Sequence, residues 1–280
     1  MERPYAWIGA GVLALFLLAG CGRAAGCTRA GQTQVSAVDG MTLDCVPAGE
    51  FLMGSTSDDP LASDDEKPQH PVTLDAFWID QTEVTNTMFA KCINAGACHE
   101  RVYSPYLWGV FSHTRDPYFG NPAYDSYPVI MLDWAEAQRY CQWAGRRLPT
   151  EAEWEKAARG SDGRIYPWGS GIDCQLANFD VCQKDTSAVD AHPQGASPYG
   201  ALDMAGNLYE WTADWYDSGY YAHSPTYNPT GSVTGEHHVL RSGSWFSFAV
   251  DVRAAARAVG AAEHWYDGKI GFRCALSAAQ

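Results

Sequence analysis

Basic residues are scarce in this sequence. Of its 280 residues, 19 are Lys or Arg and 33 are Asp or Glu, which gives a formal net charge of −14. An acidic surface repels phosphate backbones, so this balance argues against nucleic acid as a partner. Charged residues make up only 19% of the chain against 46% hydrophobic residues, which excludes a disordered chain. Clustered acidic oxygens instead suit hard cations such as calcium.

Three further features are missing. The sequence has no CxxC pair, and its eight histidines are scattered, which argues against a zinc site. No internal repeat and no low-complexity segment divides the chain, so we expect one domain over residues 41–276. Its 27 glycines, 15 prolines and 13% aromatic residues indicate an α+β domain with few helices, short strands and much irregular coil.

The first hydrophobic run, residues 6–18, is too short to span a bilayer comfortably and is typical of a secretory signal. It ends in Leu18-Ala-Gly-Cys21, which is similar to a bacterial lipobox. We therefore expect a signal peptide over residues 1–20, lipidation of Cys21 and a tether over residues 21–40. The protein would then be extracytoplasmic and lipid-anchored to the membrane. An ordinary signal peptide and an uncleaved membrane anchor are the alternatives.

The chain has nine cysteines, and lipidation of Cys21 would leave eight. An oxidising compartment favours four disulfides, although eight cysteines allow 105 pairings. The spacing favours two local bridges, Cys92–Cys98 and Cys174–Cys182. The remaining pairs would then be Cys27–Cys45 and Cys141–Cys274.

The helix and strand signals are local. Thr85 can cap a helix over residues 86–95, and Gly145 can end a second helix over 133–144. Thr150 and Glu153 form a capping box for a third helix over 149–159. Alternation predicts strands over 46–54 and 72–80. We expect residues 58–67 to form a solvated acidic loop and residues 99–127 to form a long irregular excursion.

Seven motifs occur in order along the chain: Gly49-Glu-Phe-Leu-Met-Gly54, Glu83-Val-Thr-Asn86, Arg147-Leu-Pro-Thr-Glu-Ala-Glu-Trp-Glu155, Pro167-Trp-Gly169, Met204-Ala-Gly-Asn-Leu-Tyr-Glu-Trp211, Gly243-Ser-Trp245 and Gly271-Phe-Arg-Cys274. Together they resemble the formylglycine-generating enzyme (sulfatase-modifying factor) family. The resemblance implies a C-type-lectin-like fold with bound calcium and a Cys141–Cys274 disulfide. The true enzymes of the family bind copper(I) through two cysteines and use oxygen to convert a sulfatase cysteine to formylglycine.

The catalytic cysteines of that family are missing here. The first would fall at Ser247, and no cysteine lies between positions 182 and 274. Copper(I) is a soft ion that prefers thiolates over hydroxyls, so we expect neither a copper site nor catalytic residues. The resemblance places Ser244 and Arg257 where the family contacts its substrate peptide. For Arg257 a structural ion pair is the preferred interpretation.

The resemblance also implies two calcium sites. The first would use the Asp203 and Glu210 carboxylates and the Gly206 and Leu208 carbonyls, in place of a merely solvated acidic turn. Calcium takes about six to eight oxygens in irregular geometry. The second would use the Asn178 amide and the Phe179 carbonyl, with Asp180 or Asp185 as the carboxylate.

Three functions remain in competition. The preferred one is a calcium-stabilised module without oxidase activity that binds a protein, peptide or glycan ligand outside the cytoplasm. The alternatives are a formylglycine-generating oxidase and a carbohydrate-binding lectin. A related sulfoxide synthase uses iron held by histidines, but we expect the adjacent His237 and His238 to lie on the surface.

Overall fold

A computed structural model describes residues 26–99, 119–260 and 267–278. The predicted signal peptide, Cys21 and most of the expected irregular excursion therefore lie outside the described residues. The described helices are α1 (Asn86–Asn94), α2 (Trp134–Trp143) and α3 (Glu151–Arg159). Among the described residues, none of these helices has the length and apolarity needed to cross a membrane.

Within the described residues, ten short strands form two four-stranded sheets and one two-stranded ribbon. The first sheet has the order β1-β2-β5-β10, the ribbon pairs β3 with β4, and the second sheet has the order β8-β7-β6-β9. Within the second sheet β6 runs parallel to β9 and antiparallel to β7. The strands are β1 (Thr33–Val35), β2 (Thr42–Val46), β3 (Gly49–Met53), β4 (His70–Leu74), β5 (Phe77–Asp80), β6 (Tyr209–Trp215), β7 (His238–Arg241), β8 (Ala258–Val259), β9 (Ile270–Gly271) and β10 (Ala275–Ser277).

The domain begins earlier than the sequence predicted. Strand β1 lies inside the expected tether of residues 21–40, and it pairs with β2 in the first sheet. Cys27 is bonded to Cys45, and the buried Asp39 carboxylate accepts hydrogen bonds from Tyr140 and Arg146. Residues from Cys27 onward are therefore part of the fold, because a strand pair, a disulfide and a buried ion pair fix them.

Both predicted strands are in fact two strands each. Residues 46–54 divide at Pro47, which has no backbone N–H to donate to a sheet, so β2 and β3 enter different sheets. Residues 72–80 divide between β4 and β5 at Asp75, whose carboxylate accepts hydrogen bonds from Tyr227 and Asn228. A missing backbone donor at Pro47 ends the first segment, and side-chain contacts from distant residues to Asp75 divide the second. Neither effect is visible in the alternation of hydrophobic and polar residues.

The three helices follow their end signals. The Thr85 hydroxyl accepts the Met88 amide, and Thr150 and Glu153 form the reciprocal capping box. Gly145 takes a left-handed φ of 74° after α2. Helix α3 is buried along its whole length and packs against β3, β6 and β7, so it carries buried charges into the centre of the molecule.

All four predicted disulfides are present, and they join Cys27 to Cys45, Cys92 to Cys98, Cys141 to Cys274, and Cys174 to Cys182. The Cys141–Cys274 bridge ties α2 to the segment before β10. It lies in a buried cluster with Trp78, Tyr140 and Phe272.

Candidate functional site

A turn of hydroxyl side chains follows β7, and we call residues 244–247 the hydroxyl turn. The Ser244 and Ser247 hydroxyls lie 3.2 Å apart and share a hydrogen bond. The Ser247 hydroxyl accepts the Ser244 amide at 3.0 Å and donates to the Tyr209 hydroxyl at 3.0 Å. Gly243 enters the turn at φ 70°, and a Cβ there would lie 2.6 Å from Val252. The turn is therefore tightly backed on its inner side.

The chemistry of the hydroxyl turn is that of neutral oxygens. Both serines are almost fully buried, with Ser247 8% exposed and Ser244 1% exposed. Their shared hydrogen bond holds the two hydroxyls in place. Every cysteine that the structure describes is paired in a disulfide. The described residues thus offer no thiolate to a soft copper(I) ion at this turn.

Two exposed aromatic side chains lie within the hydroxyl turn and directly after it. Phe246 and Phe248 are 59% and 65% exposed, and the Lys269 ammonium lies 5.7 Å from the centre of the Phe246 ring. Beside the turn, a cavity of about 60 Å³ is lined by Tyr209, Asp251 and Arg253 among others. Exposed rings beside fixed hydroxyls form a surface suited to contact a ligand rather than to enclose one.

Arg257 is committed to an ion pair. Its guanidinium donates to both oxygens of Glu151, at 2.7 and 3.0 Å, and it stacks on the rings of Tyr216 and Tyr221. Arg241 donates to the same carboxylate. Arg257 is therefore placed as a structural residue, which is the interpretation that the sequence favoured, and it is not free to receive a substrate carboxylate.

The prediction of a solvated acidic loop over residues 58–67 is wrong for one of its residues. Glu66 is 1% exposed, and its carboxylate receives two hydrogen bonds from Arg253, at 2.6 and 2.9 Å. Burial acts to raise the pKa of Glu66, but the bonds from Arg253 and Ser55 outweigh it and hold that pKa below its ordinary value. Sequence reasoning missed this pair because 187 residues separate its members.

The predicted first calcium turn is buried around Arg273. Both Glu210 oxygens accept hydrogen bonds from Arg273 at 2.7 Å, and one also accepts the Trp154 indole N–H. Asp203 and Glu83 are also buried, and one carboxylate oxygen of each has no hydrogen-bond partner. Burial, reinforced by the negative charge of Glu210 and opposed by Arg273, raises the pKa of Asp203 to about 8.

The donors present fit a hard cation at this turn. One buried oxygen of Asp203 and one of Glu83 have no hydrogen-bond partner, and Glu210 repels the charged form of both groups. A bound cation would favour the ionised carboxylates that burial disfavours. The Gly206 carbonyl accepts the Ser242 hydroxyl at 3.0 Å. No three His, Cys, Asp or Glu side chains among the described residues are grouped as a metal cluster, so carbonyl oxygens would have to complete the shell.

The predicted second calcium site lies against the first. Asn178 is fully buried, its amide nitrogen donates to the Asp185 carbonyl at 2.8 Å, and its amide oxygen has no partner. The Phe179 carbonyl accepts the Cys182 amide. A Cβ on Gly206 would lie 2.3 Å from the Asn178 carbonyl, so the two turns are in direct contact.

His238 is not on the surface, contrary to the prediction. Its ring lies between the indoles of Trp134 and Trp215, with centroids 3.9 and 3.8 Å away. Its Nδ1 lies 3.2 Å from the Asp214 carbonyl, while its Nε2 is buried without a partner. Burial lowers the pKa of His238 to about 4, so the ring is neutral at physiological pH.

The sequence of this chain is similar to a known protein family and to several characterised proteins. Residues 29–278 match the family model of the sulfatase-modifying factor enzyme 1-like domain. The chain is 35% identical over 282 residues to the formylglycine-generating enzyme of Streptomyces coelicolor, covering 83% of this chain and 88% of that enzyme. It is 37% identical over 240 residues to the serine/threonine-protein kinase pkn1 of Chlamydia caviae, covering 82% of this chain and 37% of that kinase. The chain thus spans little more than a third of that relative's length.

The fold is also similar to that of a solved structure. PvdO from Pseudomonas aeruginosa superposes with a TM-score of 0.73 at 26% identity, covering 89% of this chain and 99% of PvdO. With three described helices, short strands and much coil, the architecture is the expected α+β, C-type-lectin-like fold. The chain belongs to the sulfatase-modifying factor enzyme 1-like domain family.

Proposed function

We propose that this protein is an extracytoplasmic member of its family that binds a protein, peptide or glycan ligand at the hydroxyl turn and has no oxidase activity. The observation that carries the proposal is Ser247. Its hydroxyl stands where the resemblance puts the first copper-binding thiolate, and it is held by Ser244 and Tyr209.

The alternative is a formylglycine-generating oxidase. The 35% identity to the Streptomyces coelicolor enzyme favours it. Opposing it, a hydroxyl is a poor ligand for copper(I), and the described cysteines are all bonded to one another. Recruiting a thiol would require breaking a disulfide.

The test is aerobic incubation of a sulfatase-motif cysteine peptide with the protein and copper, followed by mass spectrometry. We expect no aldehyde product from the wild type and none from Ser247→Cys, because one thiolate does not make a two-cysteine site. The Streptomyces coelicolor enzyme serves as the positive control. Repeated turnover by the wild-type protein would refute the proposal.

We also propose that a calcium ion binds at the Asp203–Glu210 turn and stabilises the fold. The unpartnered oxygens of Asp203 and Glu83 support this site, because they are acceptors that an ion could use. An ion bound only by the folded state adds to the stability of that state. When bound, calcium would neutralise the excess of buried carboxylates.

The calcium test compares melting temperatures in chelator and in calcium. We expect chelator to lower the melting temperature of the wild type, and Asp203→Asn to remove most of that sensitivity. Asp203 is a cleaner target than Glu210, because Glu210→Gln would also deprive Arg273 of its partner. Asp58→Asn, at an exposed acidic position, is the control and should keep the full sensitivity. Identical melting of ion-free and calcium-loaded wild type would contradict the site.

Lipid anchoring at Cys21 remains a proposal. The four disulfides support an oxidising, extracytoplasmic environment. We expect Cys21→Ala to move the protein from the membrane fraction to the soluble extracytoplasmic fraction, or to stall its processing. A variant that stays on the membrane and has the same mass as the wild type, with residues 1–20 still attached in both, would indicate an uncleaved anchor.

A further inference from the structure

One of the four disulfides differs from the others in accessibility. The six cysteines of the other bridges are between 0% and 6% exposed. In the Cys174–Cys182 bridge, Cys174 is exposed and Cys182 is half-buried. A soluble thiol can therefore reach this bridge in the folded protein, whereas the other three are shielded by the core.

The loop closed by this bridge, residues 174–182, holds unfavourable backbone conformations. Asp180 and Val181 have φ values of 43° and 56°. The left-handed region is tolerated by aspartate but is a genuine outlier for a β-branched residue such as valine. Such conformations persist only where the surroundings enforce them, and here the covalent bridge at the adjacent Cys182 is the strongest local constraint.

The same two strained residues hold the hydroxyl turn. The Asp180 amide donates to the Ser247 carbonyl at 2.9 Å, and the Val181 amide donates to the Trp245 carbonyl at 2.8 Å. Both acceptors belong to the hydroxyl turn, on either side of the exposed Phe246. The bridge, the strained backbone and the turn thus form one continuous chain of contacts.

We propose that the Cys174–Cys182 disulfide is a redox modification site that sets the conformation of the hydroxyl turn. The substrate class is a dithiol reductant, either a protein dithiol or a small one. Oxidised, the bridge keeps Asp180 and Val181 in the left-handed region and the turn pinned. Reduced, the loop relaxes to ordinary φ values, both amide donors leave their carbonyls, and the turn is released.

The exchange is balanced. A reductant thiolate attacks the accessible Cys174 sulfur, a mixed disulfide forms, and the Cys182 sulfur leaves as a thiolate that takes a proton. The second thiol of the reductant then displaces Cys174, so that the reductant ends as a disulfide and the protein gains two thiols. Two electrons and two protons pass from the dithiol to the protein.

The consequence rests on the proposed ligand-binding function of the hydroxyl turn. In the oxidised protein the turn presents Phe246 and Phe248 on a fixed backbone, which is the preorganised state for binding. Reduction would replace it by a mobile turn of lower affinity. The structural step can be tested without any ligand, so its failure is distinguishable from failure of the proposed function.

The test uses the full chain and a titration with dithiothreitol. Free thiols are alkylated and mapped by mass spectrometry, and hydrogen–deuterium exchange is followed in peptides covering residues 176–186 and 243–250. We expect Cys174 and Cys182 to be alkylated at lower reductant concentration than the other six. Amide exchange in both peptides should then become about ten-fold faster or more. A strained backbone residue of this kind is unfavourable by an energy that corresponds to about a factor of ten or more in an equilibrium constant. Exchange in α1 should stay unchanged.

Variants separate the bridge from the strain. Cys174→Ser/Cys182→Ser should reproduce the fast exchange without reductant, whereas Cys92→Ser/Cys98→Ser, which removes the other short bridge, should leave residues 243–250 protected. Val181→Gly removes the valine strain, so its reduced form should keep slower exchange than the reduced wild type. Simultaneous reduction of all four bridges, or selective reduction with unchanged exchange in residues 243–250, would overturn the proposal. Equal opening of the reduced Val181→Gly protein would overturn the part assigned to strain.

Discussion

Charged residues in this protein are buried mostly as ion pairs. Glu151 is shared by Arg241 and Arg257, and Arg253 neutralises Glu66. Removing one member of such a pair is costly, because the other charge is left buried and uncompensated. Asp44, Asp203 and Glu83 depart from this rule, since each keeps a buried oxygen without a partner. At Asp203 and Glu83, the calcium ion that we propose would supply the compensating charge.

His238 gives a prediction at the level of one residue. Its pKa is lowered from 6.5 to about 4 by burial, which the Asp214 and Ala213 backbone carbonyls oppose. A depressed histidine pKa stabilises the fold above pH 6.5, and this contribution is lost as the pH falls towards 4. We expect wild-type stability to decline over that interval by about 1–3 kcal/mol relative to His238→Phe.

The measurement is denaturant unfolding at several pH values between 4 and 7, followed by tryptophan fluorescence. Phenylalanine keeps a ring between Trp134 and Trp215 but does not titrate, so the difference between the two proteins isolates His238. His223→Phe, at an exposed position, should track the wild type. Parallel pH profiles for wild type and His238→Phe would show that the imidazole takes up its proton without cost.

At the level of elements, the helices were predictable and the strands were less so. A helix end depends on residues three apart, as Thr150 and Glu153 show, so a short window of sequence contains the signal. A strand depends on partners that are distant in sequence. Pairing of β5 with both β2 and β10 is invisible to a local pattern, which explains why residues 72–80 looked continuous. The cap of α3 therefore offers a sharper prediction than any strand.

Thr150→Ala should destabilise the fold by about 1 kcal/mol, the usual cost of losing an N-terminal cap. The Thr150 hydroxyl accepts the Glu153 amide at 3.2 Å, and alanine leaves that amide without its partner. Chemical denaturation would measure the loss. Thr226→Ala, at an exposed position outside the helices, is the matched control. A cost no larger than that of the control would show that solvent or Glu153 alone satisfies the helix end.

At the level of the whole molecule, sequence motifs located parts of the site and missed their supports. The motifs drew attention to Ser247 and Asp203, because the spacing within a motif is a local property of the sequence. They did not indicate that the Glu83 carboxylate lies beside Asp203. They also did not indicate that the 174–182 loop donates two backbone hydrogen bonds to the hydroxyl turn. Those contacts join residues more than sixty positions apart, and only the assembled fold brings them together.

The long disulfide gives the whole-molecule prediction. Cys141 and Cys274 are separated by 133 positions, and Cys92 and Cys98 by only 6. Since loop-closure entropy grows with loop length, replacing the first pair by serine should cost about 5 kcal/mol and the second about 2 kcal/mol. Equilibrium unfolding of the two double variants measures the difference. Equal losses would mean that native-state packing, rather than the unfolded chain, determines what each bridge contributes.

The order of strands in the first sheet also constrains how the protein is made. Strand β5, all of whose residues are buried, lies between β2 and β10, and β10 is formed by residues 275–277. A growing chain therefore carries an open apolar strand edge until almost two hundred further residues have been joined. Cys141 cannot form its native disulfide until Cys274 has been synthesised, 133 residues later. Cys92 and Cys98 are already present during that time and can pair with it wrongly. Strand edges that stay open and cysteines that wait for a distant partner are therefore the two points at which this chain is exposed to aggregation and to wrong pairing while it folds.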